Sequence, residues 1–217
     1  YYTGTQTVST SLIENNDISL YCHYNYGSNA GIRMTKYSDD QNPLTVTVKS
    51  NTINVINHAH HGISFAQSGS SSSNFNLEIL DNTLSWSVFG YFWSSNYDDE
   101  DKAGIKISGD NTLIRGNTIT DFISGIISGG SSSNNNRGII IDSNSIHTIS
   151  SYTVLDQYGN PGNSYSGWDN KGIHAPYCDS LFITNNTITT ETGTVIYQSN
   201  GGSTIKYNLL ETFSGRG

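Results

Sequence analysis

Seven times along this chain the same short phrase returns: an aliphatic residue, two others, an asparagine, one more residue, and a second aliphatic. The copies are IENNDI, VKSNTI, ILDNTL, IRGNTI, IDSNSI, ITNNTI and IKYNLL, built on Asn16, Asn51, Asn82, Asn117, Asn144, Asn186 and Asn208. Three residues before each Asn stands Ile13, Val48, Ile79, Ile114, Ile141, Ile183 or Ile205. Two residues after it stands Ile18, Ile53, Leu84, Ile119, Ile146, Ile188 or Leu210. A period of this kind decides the architecture, so every other feature is placed relative to it.

A second anchor, Gly-Ile, occurs at Gly31, Gly62, Gly104, Gly125 and Gly172, with Gly193-Thr194 as a degenerate sixth. Successive spacings are 31, 42, 21, 47 and 21, so a unit of 21 residues lengthened by insertions is the basic period. After the glycine the residues alternate, as in Ile32-Arg33-Met34, Ile63-Ser64-Phe65 and Ile105-Lys106-Ile107, which is strand periodicity. A short unit of two or three strands buries its apolar side chains only against its neighbours, stacked about 4.8 Å apart. The sequence therefore predicts an all-β solenoid: one right-handed parallel β-helix domain over residues 1–217, of about seven rungs, with loops inserted on one flank. Each Asn is expected to turn a corner in the left-handed conformation and to bond to the Asn above and below it. The Gly is expected to admit the chain into the next strand.

The composition agrees. Only 34% of residues are hydrophobic and 13% charged, with Ser, Asn, Thr, Gly and Tyr in place of helix formers. A net charge of -8 with no basic stripe excludes a nucleic-acid backbone as partner. No apolar run approaches the ~20 residues of a membrane span. The chain opens on Tyr1-Tyr2 and reads as a processed or excised piece of a larger one, and its Ser/Asn/Tyr richness with little Lys points to an extracellular or cell-surface location.

The rung phrase followed by Gly-Ile resembles the right-handed parallel β-helix repeats of the pectate-lyase-like superfamily, from about Ile13 to Leu210. That superfamily includes polysaccharide lyases, glycoside hydrolases, epimerases, tailspikes, adhesins and disaggregatase-like surface proteins. The resemblance implies a polysaccharide as partner. Neither the polygalacturonase phrases nor a calcium-binding pectate lyase cluster is present, so no catalytic residue carries over.

Insertions in a solenoid fall on defined faces. From the apolar residue after Asn to the next Gly anchor the gaps are 13, 9, 20, 6, 26 and 5 residues, so the long ones should build one wall. They bring Tyr21, His23, Tyr24 and Tyr26, then Trp86, Phe89, Tyr91, Phe92, Trp93 and Tyr97 with the run Asp98-Asp99-Glu100-Asp101. The fifth brings Tyr152, Asp156, Tyr158, Tyr165, Trp168 and Asp169. Rings beside carboxylates suit a sugar polymer, the rings stacking on pyranose faces and the polar groups taking hydroxyls. Trp93, Tyr97, Asp99, Asp101, Asp156, Trp168 and Asp169 are the expected substrate-binding set. The same aromatics would equally fold the loops onto the coil, as a satellite core with Trp86 and Phe89 nearest the rung, or form a protein contact.

The outward residue of the strand after Gly is Arg33, Ser64, Lys106, Ile127, His174 and Val195 in successive rungs. Arg33, Lys106 and His174 are the candidate catalytic residues. A cation can neutralise a uronate carboxylate while a neighbouring base takes the proton on the adjacent carbon, with Lys102 and Lys171 assisting. Against this stands the reading of solvated charges on an exposed strand. His58, His60 and His61 are read as surface histidines rather than metal ligands or proton-transfer groups. No cofactor is expected. The run 98–101 could take Ca2+ through oxygens, though without EF-hand spacing it reads more simply as an exposed acidic loop. Five stackings, roughly 24 Å, separate Cys22 from Cys178, beyond the ~7 Å between Cα atoms that a disulfide allows. A non-catalytic structural or adhesive solenoid, stacking with itself or with further coils of a longer chain, is the alternative function.

Overall fold

The computed structural model describes residues 9–22, 29–36, 44–57, 61–67, 75–87, 102–129, 136–155, 161–166, 170–198 and 201–213. Among the described residues the chain is all strand and turn, wound into a right-handed parallel β-helix. Coil 1 holds β1 (Ser9–Glu14), β2 (Asp17–Cys22) and β3 (Ala30–Lys36). Coil 2 holds β4 (Leu44–Lys49), β5 (Thr52–Asn57) and β6 (His61–Gln67), and coil 3 holds β7 (Phe75–Leu80), β8 (Thr83–Ser87) and β9 (Ala103–Ser108). Coil 4 is β10 (Thr112–Arg115), β11 (Thr118–Phe122) and β12 (Ser124–Ser128). Coil 5 is β13 (Asn136–Asp142), β14 (Ser145–Thr148), an excursion of β15 (Ser151–Leu155) and β16 (Pro161–Ser166), and β17 (Lys171–His174). Coil 6 is β18 (Cys178–Thr184), β19 (Thr187–Thr190) and β20 (Thr194–Tyr197), and coil 7 is β21 (Ser203–Lys206) and β22 (Leu209–Thr212).

The first strands of the coils form a seven-stranded parallel sheet A, the second strands a seven-stranded sheet B, and the third strands a six-stranded sheet C. Among the described residues only β15 and β16 pair antiparallel, as a hairpin inserted in coil 5. The two aliphatic columns of the sequence phrase are columns in space. Ile13, Val48, Ile79, Ile114, Ile141, Ile183 and Ile205 lie in register along sheet A. Ile18, Ile53, Leu84, Ile119, Ile146, Ile188 and Leu210 do so along sheet B. With Ile63, Ile105, Ile126 and Ile173 of sheet C, the members of both columns other than Ile205 and Leu210 fill the centre of the cylinder, each buried aliphatic contributing about 1.5–3 kcal/mol.

The seven asparagines stand in file at the corner between sheets A and B. Asn117 is typical. Its Oδ1 accepts from the backbone N–H of Asn82 at 2.9 Å and from Asn82 Nδ2 at 3.0 Å. Its Nδ2 donates to Asn144 Oδ1 and to the carbonyls of Ile79 and Arg115, at 3.0, 2.9 and 3.0 Å. The ladder expected from the sequence is present, but the left-handed residue is not the Asn. It is the residue immediately before: Asn15, Ser50, Asp81, Gly116, Ser143, Asn185 and Tyr207, with φ between 53° and 69°. The reversal is taken one residue early so that the Asn backbone N–H can aim at the next coil, as Asn51 N–H does toward Asn82 Oδ1 at 3.0 Å.

The glycines have a packing role. Gly31, Gly104, Gly125 and Gly172 do not have positive φ, yet a Cβ on each would overlap Cγ2 of Ile53, Ile119, Ile146 or Ile188 in the following coil. The two sequence anchors are thus one contact: the glycine of each coil makes room for the aliphatic residue two positions beyond the Asn of the next. In the sixth coil the sequence alignment slips. Lys171 pairs with Thr194 and Ile173 with Ile196, so Val195, not Gly193, faces Gly172. Gly193, at φ 99°, lies against Asn170 in the preceding corner.

Candidate functional site

The segments that carry the long insertions all leave sheet B and return to sheet C, at one corner of the cylinder. Coil 4 has the tightest of these corners, Phe122 and Ser124 flanking Ile123. The residues expected from the sequence to bind substrate, Trp93, Tyr97, Asp99, Asp101, Asp156, Trp168 and Asp169, lie outside the described residues, as does the acidic run 98–101. A second set of insertions, at residues 37–43, 68–74 and 130–135, joins sheet C to sheet A. The sequence pattern concealed it, because gaps measured only up to each glycine stop short of that corner.

Sheet C supplies the geometry that can be followed in full. Its register places Arg33 beside Ser64, Ser64 beside Lys106, Lys106 beside Ile127 and Ile127 beside His174. The sixth member of this outward file is Tyr197 rather than the expected Val195, a consequence of the slipped alignment. His174 and Tyr197 meet edge to face, with ring centroids 5.0 Å apart. Arg33, Lys106 and His174 are brought onto one face two coils apart from one another, roughly 10 Å. That distance is too long for two of them to act on one pyranose. It suits successive groups along a polymer. Ile127, only 7% exposed, separates Lys106 from His174.

The two lysines expected to assist, Lys102 and Lys171, fall elsewhere. Lys102 is buried, its Nζ 5.1 Å over the ring of Trp86, and Trp86 is itself a core residue. Of the three readings open for Trp86, burial is the one realised, and in the main core of the cylinder rather than in a satellite of it. Lys171 begins β17, in register with buried Ser124 rather than on the outward file. His61 is also corrected: it is 1% exposed and packed into the sheet B to sheet C corner, not on the surface. Its neighbours His58 and His60 lie outside the described residues. Among the described residues no group of three or more His, Cys, Asp or Glu could hold a metal ion, and no helix is long and apolar enough to cross a membrane.

Two further features were not foreseen. At the corner between sheets C and A, Phe65 and Phe75 of successive coils stack at 4.8 Å, with Lys36 Nζ 5.2 Å from the Phe75 ring. They line a cavity of about 240 Å3 with Met34, Thr35, Lys36, Leu44 and Val46. On the outer surface beside the Asn ladder, Asp142 gathers four donors. Thr184 Oγ1 and Asn185 Nδ2 donate to Oδ1 at 2.7 and 2.8 Å, and Arg115 Nε and Ser143 Oγ to Oδ2 at 3.1 and 3.2 Å.

Partial burial pushes the Asp142 carboxyl up. The hydrogen bonds from Thr184, Asn185 and Ser143 and the charge of Arg115 outweigh it, so its pKa lies below the ordinary 3.8. A carboxylate depressed on folding stabilises fully above its unfolded pKa and loses that contribution as pH falls through the folded value. Asp142→Asn should therefore cost about 1 kcal/mol near neutral pH. In thermal melts recorded against pH, the gap between variant and parent should close below 3.8.

Cys178 is a free thiol, wholly buried between Ser128 Oγ at 3.4 Å and the Ser128 carbonyl at 3.3 Å. Burial pushes its pKa up, so it is a packing group rather than a nucleophile. Cys22 ends β2 in coil 1, five coils away and on another sheet. No protein-family model, no curated protein and no solved structure matches this chain.

Proposed function

We propose that this β-helix is an extracellular or cell-surface protein of the pectate-lyase-like kind that binds an acidic polysaccharide laid across the coils of sheet C. The observation that carries the reading is the register of that sheet, which sets Arg33, Lys106 and His174 in one outward file. A protein of net charge -8 has few places where a polyanion is welcome, and a face that carries Arg33 and Lys106 in one file is one of them. Spaced roughly 10 Å apart, the three groups would meet carboxylates on separate sugars, which favours holding a chain over cutting it. His174 and Tyr197 at 5.0 Å form the one place on the file where an acceptor and a phenolic donor adjoin, so any cleavage belongs there.

Calorimetric titration with uronate and neutral oligosaccharides tests this. Uronate oligomers should bind, more weakly as salt rises, and Lys106→Ala should weaken binding about tenfold. Equal binding of neutral oligomers, or indifference to Lys106→Ala, would sink the reading. Unsaturated product that disappears in the same variant would make the protein a lyase.

A further inference from the structure

At the corner between sheets A and B stands one asparagine that the ladder does not use. Asn185 holds the left-handed position before Asn186, at φ 56°, and is exposed. Along the chain, Asn185-Asn186-Thr187 is the one place where Asn is followed, after a residue other than Pro, by Ser or Thr. That triplet is the acceptor signal for N-linked sugar. The repeat explains why it is single. Asn51, Asn82, Asn117 and Asn144 of the ladder have Thr or Ser immediately after them, one residue too soon, and are buried. Asn15 takes the same corner place in coil 1, but Asp17 stands where the hydroxyl is needed.

The structure also shows where the amide lies. Thr184 Oγ1 and Asn185 Nδ2 donate to the same oxygen, Asp142 Oδ1, at 2.7 and 2.8 Å, which brings the Asn185 amide over the outer face of sheet A. A primary amide has two hydrogens, so one can stay on Asp142 while the other is exchanged. Two residues back along the strands from Thr184 and Asp142 are Phe182 and Ile140, register partners on that same outer face. They are 44% and 38% exposed, and among the described residues of coils 2 to 6 the only other large hydrophobic so exposed is Tyr197, on sheet C. An uncovered apolar pair therefore begins about 7 Å along the strand from Thr184, within reach of a sugar joined to the neighbouring amide.

We propose that Asn185 is an N-glycosylation site whose first sugar lies over Phe182 and Ile140. The inference rests on the extracellular or cell-surface reading above. In the transfer, Asn185 Nδ2 bonds to the anomeric carbon of a lipid-linked sugar phosphate. The bond from that carbon to the phosphate oxygen breaks, its electron pair leaves with the phosphate, and the amide gives one proton to the transferring enzyme. The apolar C–H face of the ring then packs on Phe182, with its hydroxyls outward. The corner between sheets A and B faces away from sheet C, so the glycan leaves the file of Arg33, Lys106 and His174 open.

Mass spectrometry of the protein recovered from the organism that makes it tests the site. Trypsin releases residues 172–206 as one peptide, which should carry a sugar chain that fragmentation assigns to Asn185. Asn185→Gln and Thr187→Val, made in the same organism, should each abolish it. An unmodified peptide from the cell-surface fraction would overturn the site and leave the location standing, whereas an unmodified peptide from protein held inside the cell would overturn both. Thermal melts of the glycosylated protein, before and after enzymatic removal of the sugar, test the packing. The glycan should raise the midpoint by about 3 °C, and the gain should vanish in Phe182→Ala, a change on the exposed face that leaves the core intact. No gain in the parent, or an equal gain in that variant, would overturn the covering of sheet A.

Discussion

Gly104→Ala should destabilise the β-helix by about 3 kcal/mol, the upper part of the range for overpacking a core, although the position is only a glycine in a strand. Its added methyl would be driven into Cγ2 of Ile119 in the next coil and would stand 3.0 Å from the Gly125 carbonyl oxygen. Both are held by the stacking of coils, so neither can yield without moving a strand. The chain contains a partial control. At Gly62 the facing residue is Leu84, which branches one carbon later and leaves its nearest methyls at 3.4 Å, an ordinary contact, while the Gly104 carbonyl oxygen stays close at 2.7 Å. Ile119→Leu should therefore relieve the side-chain part of the cost of Gly104→Ala and leave the carbonyl part. In a double-mutant cycle followed by urea unfolding, the pair should be more stable than the sum of the singles by about 1 kcal/mol. Additive costs would mean that the glycine is needed for its backbone and not for space.

The second large effect concerns the ladder. Asn117 is fully buried and its side chain is in five hydrogen bonds. Asn117→Ala leaves the N–H of Asn82 and the carbonyl of Ile79 without that partner in a place water does not reach. At about 1–3 kcal/mol for each buried group orphaned, the loss should be about 4 kcal/mol, read as a shift in the urea midpoint. Asn117→Asp is sharper. A carboxylate there can still accept from Asn82 but turns an anion toward Asn144 Oδ1. Burial then raises its pKa, so the variant should be least stable at neutral pH and recover as the solution is acidified through that raised value. A loss as small as that of an exposed substitution, about 0.5 kcal/mol, would show the ladder to be ornament.

These two sites also mark how far the sequence could be read. The column of aliphatics, the file of asparagines and the corner that takes the long loops were legible, because a solenoid repeats the same local problem and solves it with the same residue. What the repeat did not disclose lay between residues of different coils. The steric role of Gly104 is visible only beside Ile119, and the left-handed residue before each Asn varies among Asn, Ser, Asp, Gly and Tyr, so no residue type signals it. The sixth coil misled for the same reason: Gly193 mimics an anchor, and only pairing with Lys171 and Ile173 sets the register at Val195. Lys102 reads as an assisting cation and His61 as a surface histidine because alternation along a strand does not register burial at its start, where Lys102 lies under the Trp86 ring of its own coil. For the candidate site, Arg33, Lys106 and His174 were placed on one face from alternation alone, whereas the aromatic and acidic loop residues obey no period that would fix their positions.

The three corners of the cylinder are not equivalent. Between sheets A and B every coil spends two residues on the turn, whereas the other corners range from a single residue to an excursion with its own hairpin. One edge therefore acts as a ruler that fixes pitch and phase, and the other two are free to be lengthened without disturbing either. Such a division separates heredity of shape from heredity of surface: new loops can be tried on coils 3 or 5 while the spine keeps count.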